Sequence, residues 1–149
     1  MKLPFSVDLS GQVAVVTGGG GVLCGEMAKA LAACGAKVAV MDLRLENASK
    51  VTDVINASGG AALPVAADVT SREALNAAYA KICSDLGPCD ILVNGAGGNH
   101  PKGTSSLESV TPTQLADTVD GSFFSMEPEG IEFVFKLNYI GTVLPTLQI

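Results

Sequence analysis

Val13-Ala14-Val15-Val16-Thr17-Gly18-Gly19-Gly20-Gly21-Val22-Leu23-Cys24-Gly25 is the stretch from which the architecture is read. Four consecutive apolar residues without alternation describe a strand buried on both faces, as in a parallel sheet. Glycines follow at once. Then comes a helical period with Leu23, Met27, Leu31 and Cys34 on one face, and Gly35 is placed to cap its C-terminus. Strand, glycine loop and helix in that order let a pyrophosphate approach the backbone, with free N–H groups and the positive end of a helix dipole beside it. A glycine string alone is weak evidence, and the strand–loop–helix setting is what gives it weight. The competing reading is a tight turn without a ligand, for which four consecutive glycines are more than is needed.

The same alternation continues outward. Lys37 to Met41 reads as a second strand ending at Asp42. A helix over Glu46 to Ala57 turns Ala48, Val51 and Ile55 inward, and Gly59-Gly60 stops it. Residues 62–67 form a third strand, in which Pro64 indicates an edge position. Thr70-Ser71-Arg72-Glu73 fits a capping box and opens a helix with Leu75, Ala78, Tyr79 and Ile82 on one stripe. Gly87-Pro88 ends that helix, and Asp90-Ile91-Leu92-Val93 is a fourth strand, again followed by glycines. The βαβαβαβ pattern implies one parallel sheet with helices on its faces. Residues 98–130 break it, being polar, acidic and turn-rich with Lys102 as their only Lys or Arg, so this stretch is either functional or mobile. An apolar helical pattern returns over 131–149 through Phe133, Leu137, Ile140 and Leu144.

Composition narrows the function. The 149 residues suit one domain. A 48% hydrophobic and 16% charged chain is not a disordered acidic one, and 17 glycines without a three-residue period are not collagen. The net charge is −6 and the nine Lys and Arg are scattered, which argues against nucleic acid or anionic lipid as partners. Cys24, Cys34, Cys83 and Cys89 form no C-x-x-C pair, and His100 is the single histidine, so no metal site is expected. Most of these cysteines lie in or beside apolar patterns, as buried free thiols do, which indicates a reducing compartment, the cytoplasm. The N-terminal MKLPFSVDLSG lacks the apolar core of a signal peptide, and no apolar run approaches the roughly 18 residues of a membrane span.

Asp42 stands where an acidic side chain accepts the ribose hydroxyls of NAD, about twenty residues after the glycine loop. A 2′-phosphate about 4 Å away would be repelled by on the order of 4 kcal/mol at an effective dielectric of about 20. Arg44 would offset part of this. The alternative is a solvated aspartate at a strand end. Asp68 and the run Asn94-Gly95-Ala96-Gly97 close the third and fourth strands, at the carboxyl edge where open α/β sheets bind ligands. Asp68 has a second available role as a cap near Thr70, and the glycine-rich run a second reading as a plain turn.

Together, TGGGGVLCG at 17–25, Asp42, Asp68-Val69, Asn94-Gly95-Ala96-Gly97 and the Asn138 of Leu137-Asn138-Tyr139 resemble the short-chain dehydrogenase/reductase family, over the whole chain except 98–130. The resemblance implies an α/β, Rossmann-type doubly wound parallel sheet of strand order 3-2-1-4, incomplete because the C-terminal strands are absent. Residues 1–149 would then be an NAD-binding half-domain, with 98–130 as a substrate rim and 131–149 as the helix carrying Asn138. It further implies that Gly18, Gly20, Gly21, Val22 and Leu23 line the pyrophosphate. Asp42, with Leu43 beside it, would hold the adenosine ribose, and Asp68 and Val69 would flank adenine. Asn94, Gly95, Ala96 and Gly97 would back the nicotinamide, and Asn138 would help order a proton-relay water in catalysis. Val22 and Cys24 depart from the family pattern, which has glycines there. Gly21 and Gly25 are placed to supply the close approach instead.

Gly21-Val22-Leu23, Gly97-Gly98-Asn99-His100-Pro101-Lys102 and Phe135-Lys136-Leu137-Asn138-Tyr139-Ile140-Gly141-Thr142 resemble the D-mannonate oxidoreductase (fructuronate reductase) branch of the family. That implies a small-molecule substrate, a keto or hydroxy sugar acid, and a homo-oligomer at full length. Asn99, His100 and Lys102 would then meet the substrate carboxylate, which suits two cationic side chains. The alternative for His100 is an exposed loop histidine. Cys24, near a helix N-terminus, is either a redox-sensitive thiol or a packing residue. The family's chemistry uses a serine and a Tyr-x-x-x-Lys pair, in which the lysine lowers the phenol's pKa. Here Tyr79 is followed at that distance by Cys83, and Tyr139 by Val143. The expectation is therefore the cofactor-binding half of an NAD-dependent oxidoreductase, with an unpaired apolar edge on its fourth strand. The rival expectations are a non-catalytic dinucleotide-binding or interaction module and a truncated product that associates through that edge.

Overall fold

β1 (Val13–Thr17) is buried at every position, because it has neighbours on both sides and helices on both faces. β2 (Lys37–Asp42) pairs with it in parallel from Val13↔Lys37 to Thr17↔Met41. β4 (Ile91–Asn94) flanks its other side from Ala14↔Ile91 to Thr17↔Asn94. β3 (Ala61–Ala66) pairs with the outer side of β2, so the order is 3-2-1-4, as the sequence pattern and the resemblance imply. Pro64 lies on the outermost strand, opposite Val40, where a missing N–H is tolerated. The computed structural model describes residues 7–109, 111–112 and 120–149. Positions 110 and 113–119 of the expected rim segment, and residues 1–6 of the stretch read for a signal peptide, lie outside the described residues.

Alternation along the strands divides the core in two. Val13, Val15, Ala39, Met41 and Val65 face one side, where Leu75, Ala78 and Ile82 of α3 (Arg72–Asp85) cover them. Ala14, Val16, Val38 and Val40 face the other, under α1 (Val22–Ala33) and α2 (Leu45–Ala57). This two-sided covering explains why the strands read as continuous apolar runs. In α2 the expected inward residues Ala48, Val51 and Ile55 are all buried.

Three sequence expectations are corrected. On α1 the buried face is Gly25 and Ala28, while Leu23 is 76% and Met27 48% exposed. The helix leaves the glycine turn so close to its neighbours that a Cβ at Gly25 would lie 3.3 Å from Val51 and 3.4 Å from the Gly19 carbonyl. A leucine does not fit that gap. At α3 the cap is Ser71, whose hydroxyl accepts from the Ala74 N–H at 3.2 Å, because Thr70 is engaged by Asp68. The final helix starts early, at Pro128, and is interrupted. α4 (Pro128–Phe135) passes into a π-turn (Lys136–Ile140) and then α5 (Gly141–Gln148). The extra residue in the wider turn rotates the following face, so a 3.6-residue period cannot be carried through it. Leu137 and Leu144 pack on the core as expected, but Phe133 and Ile140 stay exposed. The rim segment is also more regular than expected, with 3₁₀ turns at Pro101–Gly103 and Phe123–Ser125.

The packing of α1 has a direct test. Ala28→Leu is expected to destabilise the chain by about 1–3 kcal/mol through overpacking. Met27→Gln is expected to stay within about 0.5 kcal/mol of the parent. Urea unfolding midpoints of the two variants measure both.

Candidate functional site

Two βα turns meet at the carboxyl edge of the sheet, and the contact between them builds the site. Gly18 has φ +64°, which a side chain would strain, and it closes the first turn by accepting the Gly21 N–H at 3.0 Å. A Cβ at Gly18 would sit 2.8 Å from the Ala96 backbone and 2.9 Å from the Gly95 carbonyl. Thr17, fully buried, ties the two turns together. Its hydroxyl accepts from the backbone N–H groups of Gly95 (3.1 Å) and Ala96 (3.2 Å). A Cβ at Gly95 would collide with the Cys24 sulfur, whose thiol donates to the Gly95 carbonyl at 3.7 Å. Cys24 is thus a half-buried packing contact between the two turns.

Gly21 is the N-cap of α1 and supplies no side-chain cap to the first amides of the helix. Val22 and Leu23, the first helical residues, are exposed. The loop is also pinned to β2. The Gly19 N–H donates to the Met41 carbonyl at 2.9 Å, and the Gly20 N–H to Asp42 Oδ2 at 3.1 Å. Asp42 Oδ1 accepts from the Arg44 N–H at 3.0 Å. Each carboxylate oxygen therefore has one backbone partner and a lone pair to spare for hydroxyls. A side chain at Gly20 would fill the space between Asp42 and Asn47.

Gly18, Asp42, Leu43, Ala67, Asp68, Val69, Ala96, Gly97 and Leu137 line one groove of ≈ 200 Å³. Leu43 is 69% exposed at its rim, and Val69 is buried against Gly141. Asp68 does not cap α3, whose cap is Ser71, but closes a turn before it with one oxygen. Oδ1 accepts from both the Thr70 N–H and hydroxyl at 2.8 Å. Ala67 and Leu137 are groove residues that the sequence reading missed, although each neighbours a residue it chose.

Asn138 sits in the π-turn and clamps the loop after β4. Its amide donates to the Gly98 carbonyl (2.7 Å) and accepts from the Gly98 N–H (3.1 Å), while donating also to the Val134 carbonyl (2.8 Å). Its own carbonyl accepts from the Thr142 hydroxyl at 2.8 Å. Asn94 reaches across to α5, donating to the Thr146 hydroxyl at 2.9 Å. Thr17, Thr142 and Thr146 carry no local sequence signal, because their roles depend on partners far away in the chain.

The expected substrate residues lie farther along. Asn99 and His100 line a second cavity of ≈ 570 Å³ with Pro101, Thr104, Ser105, Ser106 and Gly121. His100 stacks on Phe133 at 5.1 Å, and its Nδ1 accepts from the Lys102 N–H at 3.2 Å. Lys102 does not line this cavity. Its ammonium pairs with Glu127 at 2.7 Å, which holds the Glu127 carboxyl below its usual range and the lysine above its own. The pair's contribution is therefore present above pH 4.5, the ordinary glutamate value, and fades as pH falls through the lowered one. Both groups are exposed, so the effect is small. Backbones cross closely nearby: a Cβ on Gly103 or Gly130 would meet the other's main chain.

The sequence profile described as short chain dehydrogenase matches residues 12–148, and the chain belongs to that family. An uncharacterized oxidoreductase of Haemophilus influenzae is 43% identical over 146 residues, which is 98% of this chain and 50% of that protein. An uncharacterized oxidoreductase of Bacillus subtilis, UxuB, is 41% identical over 142 residues, 95% of this chain and 50% of that one. A crystal structure of a Haemophilus protein with bound NAD superposes with a TM-score of 0.88 at 42% identity, covering 95% of this chain and 50% of its own. That protein's designation, D-mannonate oxidoreductase, is itself provisional. The chain thus spans about half the length of the relatives it matches. Among the described residues no helix is long and apolar enough to cross a membrane.

The junction at Thr17 is expected to be sensitive. Thr17→Val keeps the shape but leaves two backbone donors without their acceptor. It should cost about 1–3 kcal/mol in unfolding free energy and speed hydrogen exchange at Gly95 and Ala96.

Proposed function

We propose that this chain is the NAD-binding half of an oxidoreductase that transfers a hydride between nicotinamide and a small keto or hydroxy sugar acid of the D-fructuronate/D-mannonate type. The observation that carries the cofactor reading is the junction itself. A loop in which Gly18 and Gly20 leave no room for a Cβ runs into an uncapped helix, beside a carboxylate with spare lone pairs. A dinucleotide fits that chemistry. Its pyrophosphate would lie along Gly18, Gly20, Gly21, Val22 and Leu23 at the α1 N-terminus. Its adenosine ribose would bond Asp42, with Leu43 covering it and Asp68 and Val69 flanking adenine. Asn94, Gly95, Ala96 and Gly97 would back the nicotinamide, and Asn138 would hold the loop edge beside the reacting carbon. When bound, the cofactor supplies hydride exchange at nicotinamide C4, and the protein supplies its position.

Asp42 favours NAD over NADP through repulsion of a 2′-phosphate. NAD in the Haemophilus structure supports the same choice. The sugar-acid reading rests on that protein's designation and on the cavity that Asn99, His100, Ser105 and Ser106 help to line. Lys102 is drawn off by Glu127, so His100, which lines that cavity, is the better-placed side chain to hydrogen-bond a substrate carboxylate. Tyr79 and Tyr139 lack the lysine four residues on, and the chain spans half of its relatives, so the proton-transfer groups are sought outside these residues. The full enzyme would work as a cytoplasmic homo-oligomer, and the exposed Ile131, Phe135 and Tyr139 on the last helix are apolar surface for such contact.

Two titrations and one assay test this. NADH fluorescence should rise on mixing with the chain, and Asp42→Ala should weaken NADH binding about 10-fold or more while narrowing the preference over NADPH. No NADH binding by the parent chain would overturn the reading. A fusion of residues 1–149 to the remaining half of the Haemophilus relative should reduce D-fructuronate with NADH, and His100→Ala should raise KM for it. Activity on other carbonyl substrates alone would remove the sugar acid and leave the cofactor site standing.

A further inference from the structure

His100 is the one histidine of the chain, and its ring is held by two contacts. Nδ1 accepts from the Lys102 N–H at 3.2 Å, which makes the imidazole the side-chain cap of the 3₁₀ turn Pro101–Gly103. The ring also packs against Phe133 of α4, with centroids 5.1 Å apart and planes tilted by 51°. The turn itself has further supports. The Gly103 N–H donates to the His100 carbonyl at 2.9 Å, the Lys102 carbonyl accepts from the Glu127 N–H at 2.8 Å, and Gly103 crosses Gly130 backbone to backbone. Lys102 is thus fixed at its carbonyl and at its ammonium, and its N–H has a settled direction. A ring nitrogen that accepts an N–H carries no proton of its own, so the neutral imidazole here has its proton on Nε2. Among the described residues Nε2 has no hydrogen-bond partner, and His100 lines the ≈ 570 Å³ cavity with Asn99 and Thr104. The charged groups at this corner are Lys102 and, from the start of α4, Glu127 and Glu129. Both carboxylates act on the lysine and hold it above its ordinary range, Glu127 through direct contact.

Resting on the sugar-acid reading above, we propose that His100 recognises the substrate as a neutral hydrogen-bond donor: its Nε2–H meets a carboxylate oxygen of the sugar acid while Nδ1 stays bonded to the Lys102 N–H. A charged ring needs a second proton, on Nδ1, and that proton would point at the Lys102 N–H. An ion pair through His100 therefore competes with the cap of its own turn, whereas a neutral donor keeps both contacts. The group selected is an acceptor oxygen. An ammonium in the same place would meet an N–H and be refused. The two cations expected from the sequence are thus a lysine already paired and a ring that binds uncharged.

A single histidine makes the test direct, because two-bond proton–nitrogen spectra of the isotope-labelled chain report the ring nitrogens of His100 alone. The probe is D-mannonate added to the chain with NADH, a pair in which both partners are reduced and no hydride moves. At about pH 6.5, the ordinary histidine value, D-mannonate is expected to shift the Nε2 signal and to leave Nδ1 an unprotonated acceptor. His100→Ser keeps an oxygen for the Lys102 N–H but loses the reach into the cavity. It should weaken D-mannonate binding about 10-fold or more, with the Lys102 amide exchanging as slowly as in the parent. Protonation of both ring nitrogens on binding would overturn the proposal, as would a proton found on Nδ1 alone. NADH bound with both nitrogens unmoved by D-mannonate would overturn it too, and would leave the cofactor site standing. Failure of NADH to bind strikes the cofactor reading instead, and the response of Nε2 to D-mannonate alone then decides the role of His100.

Discussion

The Thr17 hydroxyl accepts two backbone N–H groups from the turn that follows β4, and the rest of the groove is arranged around that contact. It holds the ends of β1 and β4 in a register where Gly18 touches Ala96 backbone to backbone. At that separation no side chain fits between the turns, so the contact requires glycine on one side and small residues on the other. The same closeness leaves the α1 N-terminus open and brings Asp42 within reach of the Gly20 amide. An uncapped helix end and a carboxylate with a lone pair to spare on each oxygen stand together beside one tight junction. Burial of the Thr17 oxygen raises the cost of losing either partner, because an unpaired donor there has no water to turn to.

The far wall of the groove is built by a different device. Asn138 binds Gly98 through both its amide nitrogen and its amide oxygen, from a π-turn that interrupts an otherwise continuous helix. Such turns gather at functional sites because the wider ring re-aims the side chains after it. Here it moves Leu137 onto the groove while leaving Phe135 and Tyr139 facing out. The helix is further anchored by Thr146 to Asn94 and by the close crossing of Gly103 and Gly130. The stretch after β4 is thus fastened at several separate points, by an amide clamp, a ring stack and an ion pair.

Much of this was legible in order along the chain. Val13 to Val16 could be read as a buried parallel strand because both faces of β1 are covered, so no polar residue interrupts it. Ala48, Val51 and Ile55 followed an undisturbed helical period, and Pro64 marked the outer strand because only an edge tolerates it. The glycine loop, Asp42 and Asn94 to Gly97 were found because short-range backbone demands leave their mark on residue type. The face of α1 was misread for the opposite reason. Leu23 and Met27 are apolar, but the packing distance set by the glycine turn admits only Gly25 and Ala28.

What the sequence determined by itself is the alternation of strand and helix and which residues stand at the carboxyl edge of the sheet. These follow from hydrophobic period and from backbone positions that only glycine tolerates, both of which are local. Tertiary structure alone decided which partners those residues take. Thr17 met Gly95 and Ala96 across 78 and 79 positions of chain, and Asn94 met Thr146 across 52. Lys102 was claimed by Glu127. A hydrogen bond between distant segments depends on the angle and distance at which whole elements pack, and a one-dimensional pattern does not carry that geometry.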